Sequence, residues 1–219
     1  MNNFIPAAAV LLFACGTATG SAAELRALVK DHHGKRVADA VVMATPLDPK
    51  SALHTKTPLD AVDQVDKQFV PYVKPVFVGS KVRFPNSDNI RHQVYSFSPA
   101  KKFELPLYGG THAAPVVFDK PGVVVLGCNI HDWMVGYIYV SNTPFFAKTE
   151  AAGTASLEDL PPGEYSVRLW HPGMEHAEET TARRVTVSAE GPTTLEWELS
   201  LKPGFRVPRV SGSGSPGYP

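Results

Sequence analysis

Most periodic segments of this chain alternate apolar and polar residues with period two or form short apolar runs, and turn residues punctuate them at short intervals. That pattern restricts the chain to sheets with one buried face, which stack in pairs. Strands are expected at Leu25–Val29, Ala40–Met43, Val76–Val78, Lys81–Phe84, Gln93–Phe97, Val116–Phe118, Val123–Leu126 and Gly136–Val140. Four more are expected at Thr154–Leu157, Tyr165–Trp170, Arg184–Val187 and Thr194–Leu199. Turns fall at Asp31-His32-His33-Gly34, Gly79, Asn86 and Pro121-Gly122. Short pieces near Leu59–Asp66 are the only helix candidates. Gly (17) and Pro (20) make up about a sixth of the 219 residues, which also favours turns over helices. Hydrophobic residues at 43% against 19% charged supply a core, so an all-β sandwich architecture is expected.

Residues 1–23 read as a secretory signal peptide. The apolar run AAAVLLFAC is too short to span a bilayer, and Ser21-Ala22-Ala23 provides small residues before a cleavage point. The MNNF start has no Lys or Arg, and the alternatives are a buried N-terminal helix or lipoprotein anchoring at Cys15. Removal of the leader leaves Cys128 as the single cysteine, in an oxidising periplasmic or extracellular compartment. Such a thiol is buried and inert, paired with another chain, or held by a metal. The stretch from Lys202 to Pro219 is rich in Gly, Ser and Pro and reads as a disordered tail.

The chemistry concentrates in GVVVLGCNIHDWMVGYIYV. Cys128, His131 and Met134 fall within seven residues on a loop between two expected strands. A thiolate, an imidazole and a thioether are soft or borderline metal ligands, and a loop can wrap all three around one ion. His92, in VRFPNSDNIRHQVYSF, is the best candidate for a fourth ligand from a neighbouring strand. Two histidines, a cysteine and a weak axial methionine form the blue-copper set. Zinc suits Cys and His too, and the methionine favours copper.

Residues 69–140 resemble the cupredoxins of the plastocyanin and amicyanin group. The resemblance rests on Phe69-Val70-Pro71, on Val76-x-Val78-Gly79-x-x-Val82-x-Phe84-x-Asn86, on Phe118-x-x-Pro121-Gly122, and on the C-x2-H-x2-M spacing. It implies a Greek-key β-sandwich holding one mononuclear type 1 copper through His92, Cys128, His131 and Met134. It also implies an electron port at the edge of the second histidine, with Trp133 and Val135 bordering a docking patch. Gln93, Val124 and Trp133 depart from the family's pattern.

The flanking segments resemble another family. ELRALVKDHHGKRVADAVVMATP, FFAKTEAAGTASLEDLPPGEYSVRLWHPGM and RRVTVSAEGPTTLEWELSL are similar to successive parts of carboxypeptidase regulatory-like (prealbumin-like) domains. The expected organisation is a cupredoxin domain at 64–142 inserted in, or adjacent to, a prealbumin-like sandwich made of 24–63 and 143–201. A small N-terminal hairpin followed by two consecutive domains is the alternative. The whole arrangement resembles cupredoxin-domain proteins labelled methylamine utilization protein, a label that names no substrate.

Other residues invite blander readings. His32, His33, His54 and His176 are expected to be solvated, and His112 to lie in a loop. His171 is expected to pack at a strand end beside Trp170, or to serve a second metal site or the domain interface. Asp132 is expected to shape the ligand loop as an acceptor. Tyr137, Tyr139 and Phe145 are expected in core or interdomain packing. No nucleophile motif or phosphate loop occurs, so no enzyme activity is expected. Balanced charge (21 Lys+Arg, 21 Asp+Glu) without a basic cluster removes the case for nucleic acid. The functional expectation is an exported electron carrier with an unidentified redox partner protein. The alternatives are copper sequestration, delivery or resistance without electron transfer, and a scaffold module with a degenerate site.

Overall fold

The computed structural model describes residues 23–48, 59–110 and 113–203. Cys15, His54, His112, the expected leader up to Ala22 and the tail from residue 204 lie outside them. The described residues form β1 (Ala23–Asp31), β2 (Val41–Pro46), β3 (Leu59–Ala61), β4 (Asp63–Val65), β5 (Gln68–Val70), β6 (Val73–Phe77), β7 (Ser80–Arg83), β8 (His92–Ser98) and β9 (Lys101–Tyr108). The series continues with β10 (Val116–Phe118), β11 (Gly122–Gly127), β12 (Val135–Ser141), β13 (Phe145–Lys148), β14 (Thr154–Leu160), β15 (Gly163–Trp170), β16 (Arg183–Val187) and β17 (Thr193–Leu199). A four-residue 3₁₀ helix, Glu178–Thr181, is the one helical element among the described residues. The protein is all-β.

Two pairs of sheets each enclose a core. Sheet β14–β1–β17 stacks on β13–β2–β15–β16, and Leu25, Ala27, Val29, Leu157, Leu160, Tyr165, Leu169 and Trp197 fill the space between them. Strand β1 shows why: Leu25, Ala27 and Val29 point in while Arg26 points out. The large aromatics bury their polar ends on partners, Tyr165 Oη donating to the Pro161 carbonyl (2.7 Å) and Trp197 Nε1 to the Thr181 carbonyl (3.0 Å). The second sandwich sets β10–β7–β3 against β6–β12–β11–β8–β9, around Val76, Val82, Phe84, Val94, Phe118, Val124, Leu126 and Ile138.

Two strands are buried on both faces, which explains their unbroken apolar runs. In β2, Val42 and Ala44 enter the first core while Val41 and Met43 face a third cluster. In β12, Ile138 and Val140 enter the second core while Tyr139 faces that same third cluster. Val73, Tyr72, Val123, Tyr137, Phe146 and Trp170 complete it. The two sandwiches therefore meet through an apolar, aromatic layer, with Trp170 5.8 Å from Tyr137 and 5.3 Å from Tyr139 between ring centroids. Tyr139 Oη donates to Glu178 (2.8 Å) at its edge. The chain leaves β12 through Thr143, whose hydroxyl donates to the Ala44 carbonyl (2.7 Å) and pins this exit to β2.

Two expectations change. The Leu59–Asp66 segment is not helical. Leu59–Ala61 pairs in parallel with β7, and Asp63–Val65 forms a hairpin with β5. Its apolar spacing at 59, 62 and 65 fits a helix face locally, but pairing with distant strands prevails. The same pairing, with Val62 buried in the second core, places residues from Leu59 onward with the second sandwich. The expected boundary after residue 63 had left them with the first.

Candidate metal centre

Strands β11 and β12 form an antiparallel pair from Gly122↔Val140 to Gly127↔Val135, and the seven residues 128–134 join them at one end of the second sandwich. Strand β8 lies on the other side of β11, with Tyr95 opposite Gly127, so its first residue, His92, comes to the same end. Two glycines bracket the loop for steric reasons. A Cβ at Gly127 would sit 2.6 Å from Tyr95 Cζ, and one at Gly136 would sit 2.7 Å from Phe69 Cβ. A backbone turn closes the loop between them, with Met134 N donating to the His131 carbonyl (2.9 Å) and Val135 N to that of Trp133 (3.0 Å). Asp132 is exposed and takes no side-chain hydrogen bond among the described residues, so the expected acceptor role passes to the backbone.

His92, Cys128 and His131 converge. One ligand atom from each lies within 4.8 Å of the others, and the three side chains are buried at 0%, 3% and 8% exposure. Cys128 Sγ is 3.9 Å from His92 Nδ1, and the two imidazole centroids are 5.1 Å apart. Donors bound at about 2.0–2.3 Å in a plane around one ion stand roughly 3.5–4 Å apart, so this spacing accepts a single ion. The Met134 side chain is buried in the apolar cluster that contains Cys128. A thiol, two imidazoles and a neighbouring thioether form a soft donor set in a water-poor pocket.

One edge of the site faces solvent. Trp133 (42% exposed) stacks tilted on His131 at 5.1 Å, and Ile130 on the same loop is half exposed. Behind His92 the environment is polar. Asp88, absent from the sequence reading, lies 2.6 Å from His92 Nε2. Burial raises its carboxyl, but bonds from Lys67 N, His92 and Asp66 N outweigh that and leave it below the ordinary aspartate value. Gln64, fully buried, donates to Tyr108 Oη (2.7 Å), which itself donates to the Phe84 carbonyl (2.5 Å). Burial pushes the Tyr108 phenol up to about 12 against the bond from Gln64, and the charges of Asp63 and Cys128 add to the rise. The i,i+4 spacing of Asp88 and His92 was the available sequence signal for this shell. Gln93 turns outward and donates to Glu104 (2.5 Å), away from the ligands.

The other histidines among the described residues stay apart. His32, His33 and His176 are exposed. His171 turns Nδ1 to the backbone, where it accepts from Gly173 N (3.0 Å). It joins no cluster of possible metal ligands among the described residues.

No family model matches the chain, and no curated protein matches it. Among solved structures, it is similar to a copper-containing nitrite reductase from Thermus scotoductus SA-01 (28% identity, 44% of this chain, TM-score 0.37), a quarter of whose length it spans. It is also similar to a purple cupredoxin from Nitrosopumilus maritimus (23% identity, 37% of this chain and 99% of that one, TM-score 0.34). A reduced copper(I) form of an amicyanin variant is a further similar structure (21% identity, 45% of this chain and 98% of that one, TM-score 0.35).

Proposed function

We propose that this chain is an exported type 1 copper protein that carries single electrons between redox partners. The convergence of Cys128, His92 and His131 in one buried pocket supports this reading above all else. These three residues and Met134 would hold one copper ion, which supplies a one-electron couple when bound. Cys128 binds as the thiolate and gives up its proton. The strand ends hold the imidazoles and the sulfur in place, so little has to move when the charge changes. Burial excludes water and competing ligands. His131, under Trp133 and beside Ile130, is the edge at which a partner protein would exchange the electron.

In this reading residues 59–141 form a cupredoxin-like unit set into a prealbumin-like host built from both ends of the chain. No helix among the described residues is long and apolar enough to cross a membrane. The export signal read from residues 1–23 supports a location in the periplasm or outside the cell. The apolar layer tying the host to β12, the strand that leaves the ligand loop, favours one second reading: copper held for storage or delivery. Voltammetry of the copper-loaded protein separates the two. Fast, reversible one-electron exchange is expected, and slow exchange despite tight copper(I) binding would favour delivery.

A further inference from the structure

The ring of His92 is held from outside the copper-ligand set. Its Nε2 lies 2.6 Å from Asp88 Oδ2. A carboxylate only accepts, so Nε2 carries the proton and Nδ1, which faces Cys128 Sγ at 3.9 Å, keeps its lone pair. Asp88 is itself fixed by three further bonds. Asp66 N donates to Oδ1 (2.7 Å), Lys67 N donates to Oδ2 (3.0 Å), and the backbone N of Asp88 donates to Asn86 Oδ1 (3.0 Å). Asp66 and Lys67 are the two-residue tip of the β4–β5 hairpin, both with positive φ (52° and 57°). This is the conformation of the tight hairpin turn, and it aims two successive N–H groups at one carboxylate. Asn86 closes the ring from the other side, donating to the Tyr108 carbonyl (2.9 Å), and Tyr108 is the strand partner of His92.

We propose that Asp88, anchored by the Asp66-Lys67 hairpin tip, is the positioning residue that fixes the tautomer and orientation of His92 for metal binding. The inference rests on the copper reading only where metal is measured. Its chemistry is specific to a carboxylate. Three donors, Asp66 N, Lys67 N and His92 Nε2–H, converge on two acceptor oxygens. In Asp88→Asn one oxygen becomes an NH₂ group, which must face a donor whichever way the amide turns. The His92 ring then loses its acceptor or the hairpin tip loses one. Outer-shell partners of this kind are typically worth 10–100-fold in metal affinity. The carboxylate also makes His92 a stronger donor, which favours copper(II), so its loss should raise the reduction potential.

The test has two arms. In metal-free protein, ¹⁵N NMR of the imidazoles should show His92 protonated on Nε2 in the wild type and mixed or reversed tautomers in Asp88→Asn. In copper-loaded protein, Asp88→Asn should bind about 10–100-fold more weakly with a raised potential. A merely structural role for Asp88 would lower stability without moving the tautomer or the potential. Unchanged tautomer and affinity in folded Asp88→Asn would overturn the proposal. Failure of the wild type to bind copper would overturn the copper reading and leave the first arm to decide the clamp.

Discussion

The two sandwiches use their interiors differently. The first sandwich has a core that is apolar almost throughout, and its inward polar groups end on backbone: Thr149 Oγ1 on Val37, Trp197 on Thr181, His171 on Gly173. The other sandwich buries Gln64, Asn86, His92 and His131 at one end, with Cys128 and Met134 at the margin of its core. Burying polar groups carries a cost that packing alone does not explain. The pair His171 and His92 makes the contrast concrete. His171 is partly buried and spends Nδ1 on the backbone N of Gly173, whereas His92 is fully buried, tied at Nε2 to Asp88, and turns Nδ1 toward a thiol and a second imidazole. On the proposed function, the first sandwich would be the scaffold and the second the working part.

The comparison can be broken in several ways. The largest effect should come from truncating the host core. Leu160→Ala should cost about 2–5 kcal/mol in chemical unfolding and leave copper binding intact in the folded protein. Loss of copper binding there would refute the division of labour. Next comes pH. Burial lowers the His171 pKa to about 4, against the pull of Asp39 and Ala38. The unfolded chain takes up its proton near pH 6.5, so the contribution is fully present above that pH. It falls as pH drops toward 4 and changes no further below. The loss should be on the order of 2–3 kcal/mol and absent in His171→Asn, as stability curves between pH 7 and pH 4 would show. A Gly136→Ala change forces a Cβ against Phe69 behind the ligand loop. It should cost about 1–3 kcal/mol and weaken copper binding, and an unchanged affinity would separate the loop's packing from its ligand geometry. The smallest stability effect should be that of Met134→Leu, under about 1.5 kcal/mol because volume is conserved. The visible spectrum of the copper protein should nevertheless change; an unchanged spectrum would make Met134 a core residue only.

Much of this organisation is legible from residue order, for identifiable reasons. Alternation marks β1 and β17 because each has one buried face. The runs VVMA and YIYV mark β2 and β12 because both faces are covered. Strands β3 and β4 are not legible, since their pairing partners are distant and their local spacing fits a helix. Strand β9 (KKFELPLY) is hidden by its lysines and Pro106, residues that suit the exposed edge of a sheet. That Cys128 and His131 lie together is legible because one loop carries them, and His92 is legible as the best candidate on a neighbouring strand. The anchoring of Asp88 is not legible, because its donors come from residues 66 and 67, brought near only by the fold.

The most direct test is titration of the folded, reduced protein with copper(II), followed by visible absorption and metal analysis. One equivalent should bind and produce an intense thiolate-to-copper band that Cys128→Ser abolishes. A colourless wild-type complex, or a band that survives in Cys128→Ser, would contradict the assignment of Cys128, His92 and His131 as a type 1 copper centre.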